Sequence, residues 1–248
     1  RNDYETEAGY IIEQTGFTLS LGAPLSERAG LRLRYSLRED ALSGSLLDAS
    51  PILRDEFGSR IASIIGYSLS YADLDDELDP TSGYSVVLMQ DYSGVGGEVK
   101  TLRSEMKLDY FHPIAESVVG RLTLSDGYIF GFDGQSIRLN DRFFKGGRTF
   151  RGFKTAGIGP RDVLTSDALG GRLYYIGSAQ VTFPLGLPEE FGILGNLFTD
   201  AGSVADPEDA SAAIFDSSMI RVASGFGVSW ESPFGPIRLD FAKALRKE

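Results

Sequence analysis

Hydrophobic and polar positions alternate with a period of two along much of this chain, the spacing of strands that bury one face. From Arg221 to Trp230, Val222, Phe226, Val228 and Trp230 share one side, while Arg221, Ala223, Gly225, Gly227 and Ser229 share the other. Leu31, Leu33, Tyr35 and Leu37 oppose Arg32, Arg34, Ser36 and Arg38 in the same way, and Leu102, Met106, Leu108 and Tyr110 oppose Thr101, Arg103, Glu105, Lys107 and Asp109. Further strands are predicted at 16–22, 60–72, 84–91, 117–128, 172–183, 192–200 and 235–244, about ten in all. Segment 84–91 is ambiguous, because Val86, Val87, Leu88 and Met89 are apolar on both faces. No amphipathic helix stands out.

The second face decides the architecture. A soluble sandwich exposes mostly small polar and mixed residues, whereas here Arg103, Glu105, Lys107 and Asp109 follow one another on one side of a single strand. Large charges of both signs, interspersed with glycines, suit the wall of a wide, hydrated lumen with lipid outside. The fold class expected is therefore all-β, an antiparallel transmembrane β-barrel. The connections agree. Short turns are expected at Ala23–Arg28, His112–Glu116, Pro184–Glu190 and Glu231–Phe234, and long loops at about 40–58, 131–171 and 201–218. Outer-membrane barrels show this asymmetry between their two ends. The connections near 73–83 and 92–98 are intermediate. Tyr71, Tyr84, Tyr110, Phe111, Phe183, Trp230 and Phe234 fall near strand ends, where an interfacial girdle would sit.

Composition narrows the function classes. The chain has 248 residues and no low-complexity linker, so 1–248 is read as one domain. It has no cysteine and a single histidine, which excludes disulfides and His/Cys metal clusters. A net charge of -11 without a basic stripe offers nothing to nucleic acid. No apolar run reaches the ~18 residues of a membrane helix, yet a mean hydropathy of -0.09 is what a barrel with one apolar face gives. The chain lacks an initiator Met and ends at Arg246-Lys247-Glu248, and is read as a fragment or processed piece.

Catalytic chemistry finds no foothold. His112, placed in a turn before Pro113, has no serine nucleophile assigned to it and there is no GxSxG elbow. Asp73, Asp75, Asp76, Glu77 and Asp79 lack the spacing of a calcium loop and read as a solvated turn ending in Pro80-Thr81-Ser82-Gly83. Gly157-Ile158-Gly159-Pro160 lacks the third glycine of a dinucleotide loop. No catalytic residue, metal or cofactor is expected.

What remains is the polar, Gly-rich stretch 131–171. A ~40-residue connection without regular structure implies a job. At its centre lie Gly146 and Gly147, then Phe150-Arg151-Gly152-Phe153. Gly152 permits a close backbone approach, and Arg151 between two rings could stack on one and still fork onto a carboxylate. Such a tip could enter a polar lumen and lock to an inward-facing acid.

These residues, with Gly157-Ile158-Gly159-Pro160-Arg161-Asp162, resemble the sixth outer loop of the BamA family, the barrels of the outer-membrane protein assembly machinery. Phe150 stands where that loop motif usually has a branched aliphatic residue. The similarity continues through Asp79-Pro80-Thr81-Ser82-Gly83-Tyr84, Asp167-Ala168-Leu169-Gly170-Gly171, Leu197-Phe198-Thr199-Asp200-Ala201-Gly202-Ser203-Val204 and Ser232-Pro233-Phe234-Gly235-Pro236-Ile237-Arg238-Leu239-Asp240.

The resemblance implies about ten strands of a barrel of about sixteen, with the loop folded inside and Arg151 meeting Asp200 on the wall. The family's second acid maps near Gln180, which accepts hydrogen bonds without charge, so the implied network rests on one carboxylate. It further implies a bacterial outer-membrane location and a non-enzymatic role in folding and inserting β-barrel proteins. The implied partners are the lipid bilayer, unfolded outer-membrane clients, and accessory lipoproteins held mainly by POTRA domains, none of which lies within this sequence. Alternatives are a two-partner secretion or TamA-like translocator, or a passive porin.

Overall fold

The computed structural model describes residues 10–44, 50–54, 56–208, 214–216, 218–232 and 234–247. Parts of the predicted loops 40–58 and 201–218, and Pro233 in the last turn, lie outside the described residues.

Ten long strands form one antiparallel sheet in which sequence neighbours pair. They are β1 (Tyr10–Pro24), β2 (Ala29–Gly44), β3 (Gly58–Leu74), β4 (Gly83–Gly97), β5 (Thr101–Ala115), β6 (Val118–Gly131), β8 (Leu173–Pro184), β9 (Ile193–Ala205), β11 (Arg221–Ser232) and β12 (Gly235–Arg246). Two short strands, β7 (Arg161–Asp162) and β10 (Ile214–Phe215), pair with each other outside this wall. Short hairpins join alternate neighbours in this up-and-down order. Among the described residues β1 and β12 are paired on one side only.

The strands run longer than the alternation alone predicts. Strand β4 continues to Gly97, so the connection placed at 92–98 shrinks to residues 98–100. His112 is likewise in β5, opposite Gly120, and not in a turn. Pro113 ended the prediction because it cannot donate to a ladder, but the register shifts between Pro113 and Ala115, and such an irregularity tolerates proline.

Register assigns the two faces, because directly paired residues point the same way. One face carries Leu19, Leu33, Leu69, Met106, Leu122, Leu197, Phe226 and Leu239, all exposed, with Leu19 at 64% and Leu239 at 61%. An exposed apolar surface spanning every strand is a lipid-facing belt. Tyr71 stacks on Tyr84 near the short-turn end, and Phe132 packs on Phe130 and Tyr92 near the other, which marks two aromatic girdles. Polar residues within the belt satisfy one another: Tyr67 donates to Gln90 at 2.6 Å, and Gln90 to Ser104 at 2.9 Å.

The opposite face is charged. Here Arg103 pairs with Glu105, and Asp109 takes both Lys107 and Arg121. The connections 25–28, 75–82, 116–117 and 185–192, and the turn from β11 into β12, lie at one edge, while 98–100 and the longer connections lie at the other. One of the longer ones, 132–172, turns back over the charged face. Its Phe143, Phe150 and Ile158 form a buried cluster with Ile129, Tyr174, Ile176, Val204 and Ala223 of the wall and its margins.

Candidate functional site

The loop reaches its deepest point in a short 3₁₀ turn, Gly147–Thr149, followed by Phe150-Arg151-Gly152-Phe153. Two glycines shape that turn. Gly146 has φ of 140°, and a Cβ there would lie 2.0 Å from the Lys154 carbonyl oxygen. Gly152 has φ of 82° and presses on the wall, where an added Cβ would meet the Ala223 side chain at 2.9 Å and the Ala244 amide nitrogen at 3.3 Å. Only glycine allows both the conformation and the approach.

Arg151 is held at that depth by β8 and β9. Its Nε donates to Asp200 Oδ2 at 2.8 Å and its Nη2 to Asp200 Oδ1 at 2.6 Å, a fork that matches the planar carboxylate. The backbone N–H of Arg151 adds a third bond to Asp200 at 3.2 Å. Ser178 accepts from Nη2 at 2.9 Å and donates to Asp200 at 2.6 Å, while Gln180 accepts from Nη1 at 3.2 Å. The pair is largely withdrawn from water, with side-chain exposures of 16% and 4%. Low exposure strengthens the attraction and makes an orphaned partner costly.

The sequence-predicted residues Gly146, Gly147, Phe150, Arg151, Gly152, Phe153, Asp200 and Gln180 thus lie together, in a different arrangement from the one expected. Arg151 stacks on a wall residue, Phe198, with its Cζ 3.5 Å from the ring centroid. Phe150 and Phe153 instead pack edge to face with each other at 5.3 Å. Their apolar surface goes into the cluster buried between loop and wall, leaving the guanidinium to find a ring on β9. Nor is Asp200 the only acid present: Asp240 on β12 lies 3.8 Å from Arg151, and Arg238 bridges Asp240 to Gln180 at 2.7 Å. Ser178, Phe198, Arg238 and Asp240 escaped the sequence reading. Their signal was the inward parity that places each on the charged face.

A second cluster holds the loop's neck. Arg103 lies 4.1 Å above the Phe143 ring, donates to the Asp141 carbonyl at 3.0 Å and pairs with Glu105 at 2.7 Å. Glu105 accepts from the Tyr174 hydroxyl at 2.9 Å, and Lys145 sits 3.6 Å from the Tyr174 ring centroid. Arg38 reaches across from β2 to Asp141 at 2.8 Å. At the rim, Glu56 takes Arg142 at 2.5 Å, and Ser50 donates to Asp162 at 2.6 Å. Burial would raise the Asp162 carboxyl, but hydrogen bonds from Ser50 and the Thr165 and Leu164 amides outweigh it and hold it below its ordinary value.

An antiparallel wall with an apolar exterior, a charged inner face and an inward-folded outer loop defines an outer-membrane β-barrel protein. The Omp85 superfamily domain matches residues 1–248, and the chain belongs to that superfamily. It is 37% identical over 237 residues to the outer membrane protein assembly factor BamA of Neorickettsia risticii, covering 95% of this chain and 32% of that protein. A SAM50-like protein of Drosophila melanogaster is 27% identical over 199 residues, covering 78% of this chain and 42% of its own length. The chain therefore spans less than half of either relative. Among solved structures, BamA from Haemophilus ducreyi lacking POTRA domains 1–3 superposes with a TM-score of 0.83 at 18% identity, over 96% of this chain and 52% of that one. CdiB from Acinetobacter baumannii gives 0.61 at 15% identity, over 96% and 40%. The resemblance drawn from the loop motif is thus matched along the whole wall.

Proposed function

We propose that this chain forms wall and internal loop of a barrel that folds and inserts other β-barrel proteins into the outer membrane, without covalent chemistry. The observation that carries the reading is the docked loop tip, Arg151 forked onto Asp200 with Gly152 against β11 and β12, within a chain of this superfamily. An inserter must offer client strands a pairing edge and a disturbed bilayer while keeping its own wall intact. The loop's part in this reading is to brace the wall from inside: Arg151 and Asp200 tie the tip to β9, and the Glu105 cluster ties the neck to β5. The partners are unfolded outer-membrane clients and the membrane itself, with accessory lipoproteins engaging the intact protein elsewhere.

Depleting the intact protein tests this. Other barrels should vanish from the outer membrane and accumulate unfolded, and proteoliposomes holding the purified protein should speed client folding. Normal barrel levels after depletion, with no acceleration in vitro, would overturn it.

A further inference from the structure

Below the loop tip lies a polar chamber of about 1010 Å³. Its lining includes Arg121 and Gln180, close to the short-turn ends of β6 and β8, and Pro236 at the start of β12. It therefore occupies the short-turn half of the lumen, which in outer-membrane barrels is the periplasmic half. The chain as a whole carries a net charge of -11, yet this chamber is lined by Lys107, Arg121, Arg148, Arg151 and Arg238 against only Asp200 and Asp240. Pairing inside it is uneven. Arg151 is neutralised by Asp200 and Arg238 by Asp240, but Lys107 and Arg121 share one carboxylate, Asp109. Arg148, on the exposed turn of the loop tip, forms none of the ion pairs found among the described residues.

The geometry points to an anion-recognising vestibule that takes an extended polypeptide segment carrying several carboxylates. This rests on the assembly reading and names the chemistry of the client it would receive. One small anion would need donors converging on one point. Here the surplus charges stand on separate elements, β5 and β6 on one side and the loop tip on the other, around a space far larger than one ion. Thr123, Ser125 and Thr149 add hydroxyl donors between them. A surplus of one sign in a cleft between low-dielectric walls concentrates the field and raises the local concentration of opposite charge.

The test uses the intact protein in nanodiscs and two fluorescent peptides of equal length, one with alternating aspartates and one with asparagines in their place, read by anisotropy. The aspartate peptide should bind about tenfold tighter at low salt, with the difference shrinking as salt rises. Arg148→Gln, which breaks no pair in the fold, should weaken it about threefold. Ser125→Asp, which adds a carboxylate to the lining, should reduce the preference further, and tests the idea independently should the Arg148 variant fold poorly. Equal binding of the two peptides, or a preference unmoved by both variants, overturns the vestibule. Client folding measured in the same nanodiscs separates the cases: loss of the peptide preference with folding intact removes the vestibule alone, and absence of folding acceleration removes the assembly reading.

Discussion

At the loop's tip one guanidinium, Arg151, gathers Asp200, Ser178 and Gln180 around itself. At its neck no single side chain holds that position, and Arg38, Arg103, Glu105, Lys145 and Tyr174 divide the contacts among three strands and the loop. The tip is a fork on one carboxylate, strong and easily orphaned. The neck is a mesh in which Arg38, Arg103 and Glu105 each have a second partner. The same loop is therefore expected to fail in two ways, abruptly at one end and by degrees at the other.

The largest expected effect comes from Asp200→Ala, which leaves the Arg151 guanidinium buried beside Phe198 and should destabilise the loop or barrel by about 3–5 kcal/mol. Heat-modifiability on gels and calorimetry would register it. A double-mutant cycle with Arg151→Ala should recover a large coupling energy, and additive effects would show that the two residues do not act as a pair. Gly152→Ala should come next, at about 1–3 kcal/mol, because it places a methyl against Ala223 at a positive φ. If that variant melts like the wild type, the tip is not pressed against the wall.

Glu105→Gln should cost about 1–2 kcal/mol, since Tyr174 and Arg103 keep a neutral acceptor. A loss as large as that from Asp200→Ala would erase the distinction between tip and neck. The smallest effect is expected away from the lumen. The carboxyl of Asp75, in the turn after β3, is held below its ordinary value by hydrogen bonds from Thr81 and the Ser82 amide. Because its folded pKa is depressed, this contribution is present above the ordinary carboxylate range and fades as pH falls through the lowered value. Amide shifts of Thr81 and Ser82 should accordingly stay constant through mild acid and move only under stronger acid, with the barrel's melting temperature unchanged. Movement in mild acid would sink that assignment.

Much of the wall was legible in the sequence because lipid and lumen impose opposite chemistry on alternate residues, so Arg103, Glu105, Lys107 and Asp109 announced a face. Strand ends were not, since hydrogen bonding continues past the residues that show alternation: Gly94 to Gly97 carry little pattern yet extend β4. Arg151 was visible through its flanking glycines and rings, and Asp200 and Gln180 through the family resemblance. Phe198 and Asp240 were not, because their meeting with Arg151 depends on how far the loop descends, a depth set by the burial of Phe143, Phe150 and Ile158. The neck was hidden for a similar reason. Nothing local to Lys145 says that Tyr174 will lie beneath it.

The strict division of the wall into an oily side and a charged side has a consequence for how such a chain is made. A slip of one residue in the pairing of β5 would turn Arg103, Glu105, Lys107 and Asp109 outward together and carry Leu102, Met106, Leu108 and Tyr110 inward. Hydrocarbon rejects that arrangement, at about 2–4 kcal/mol for an Arg or Lys near the midplane and less for an Asp or Glu. The bilayer thereby proofreads this protein's own construction, admitting a correctly zipped wall and expelling the mis-zipped copies.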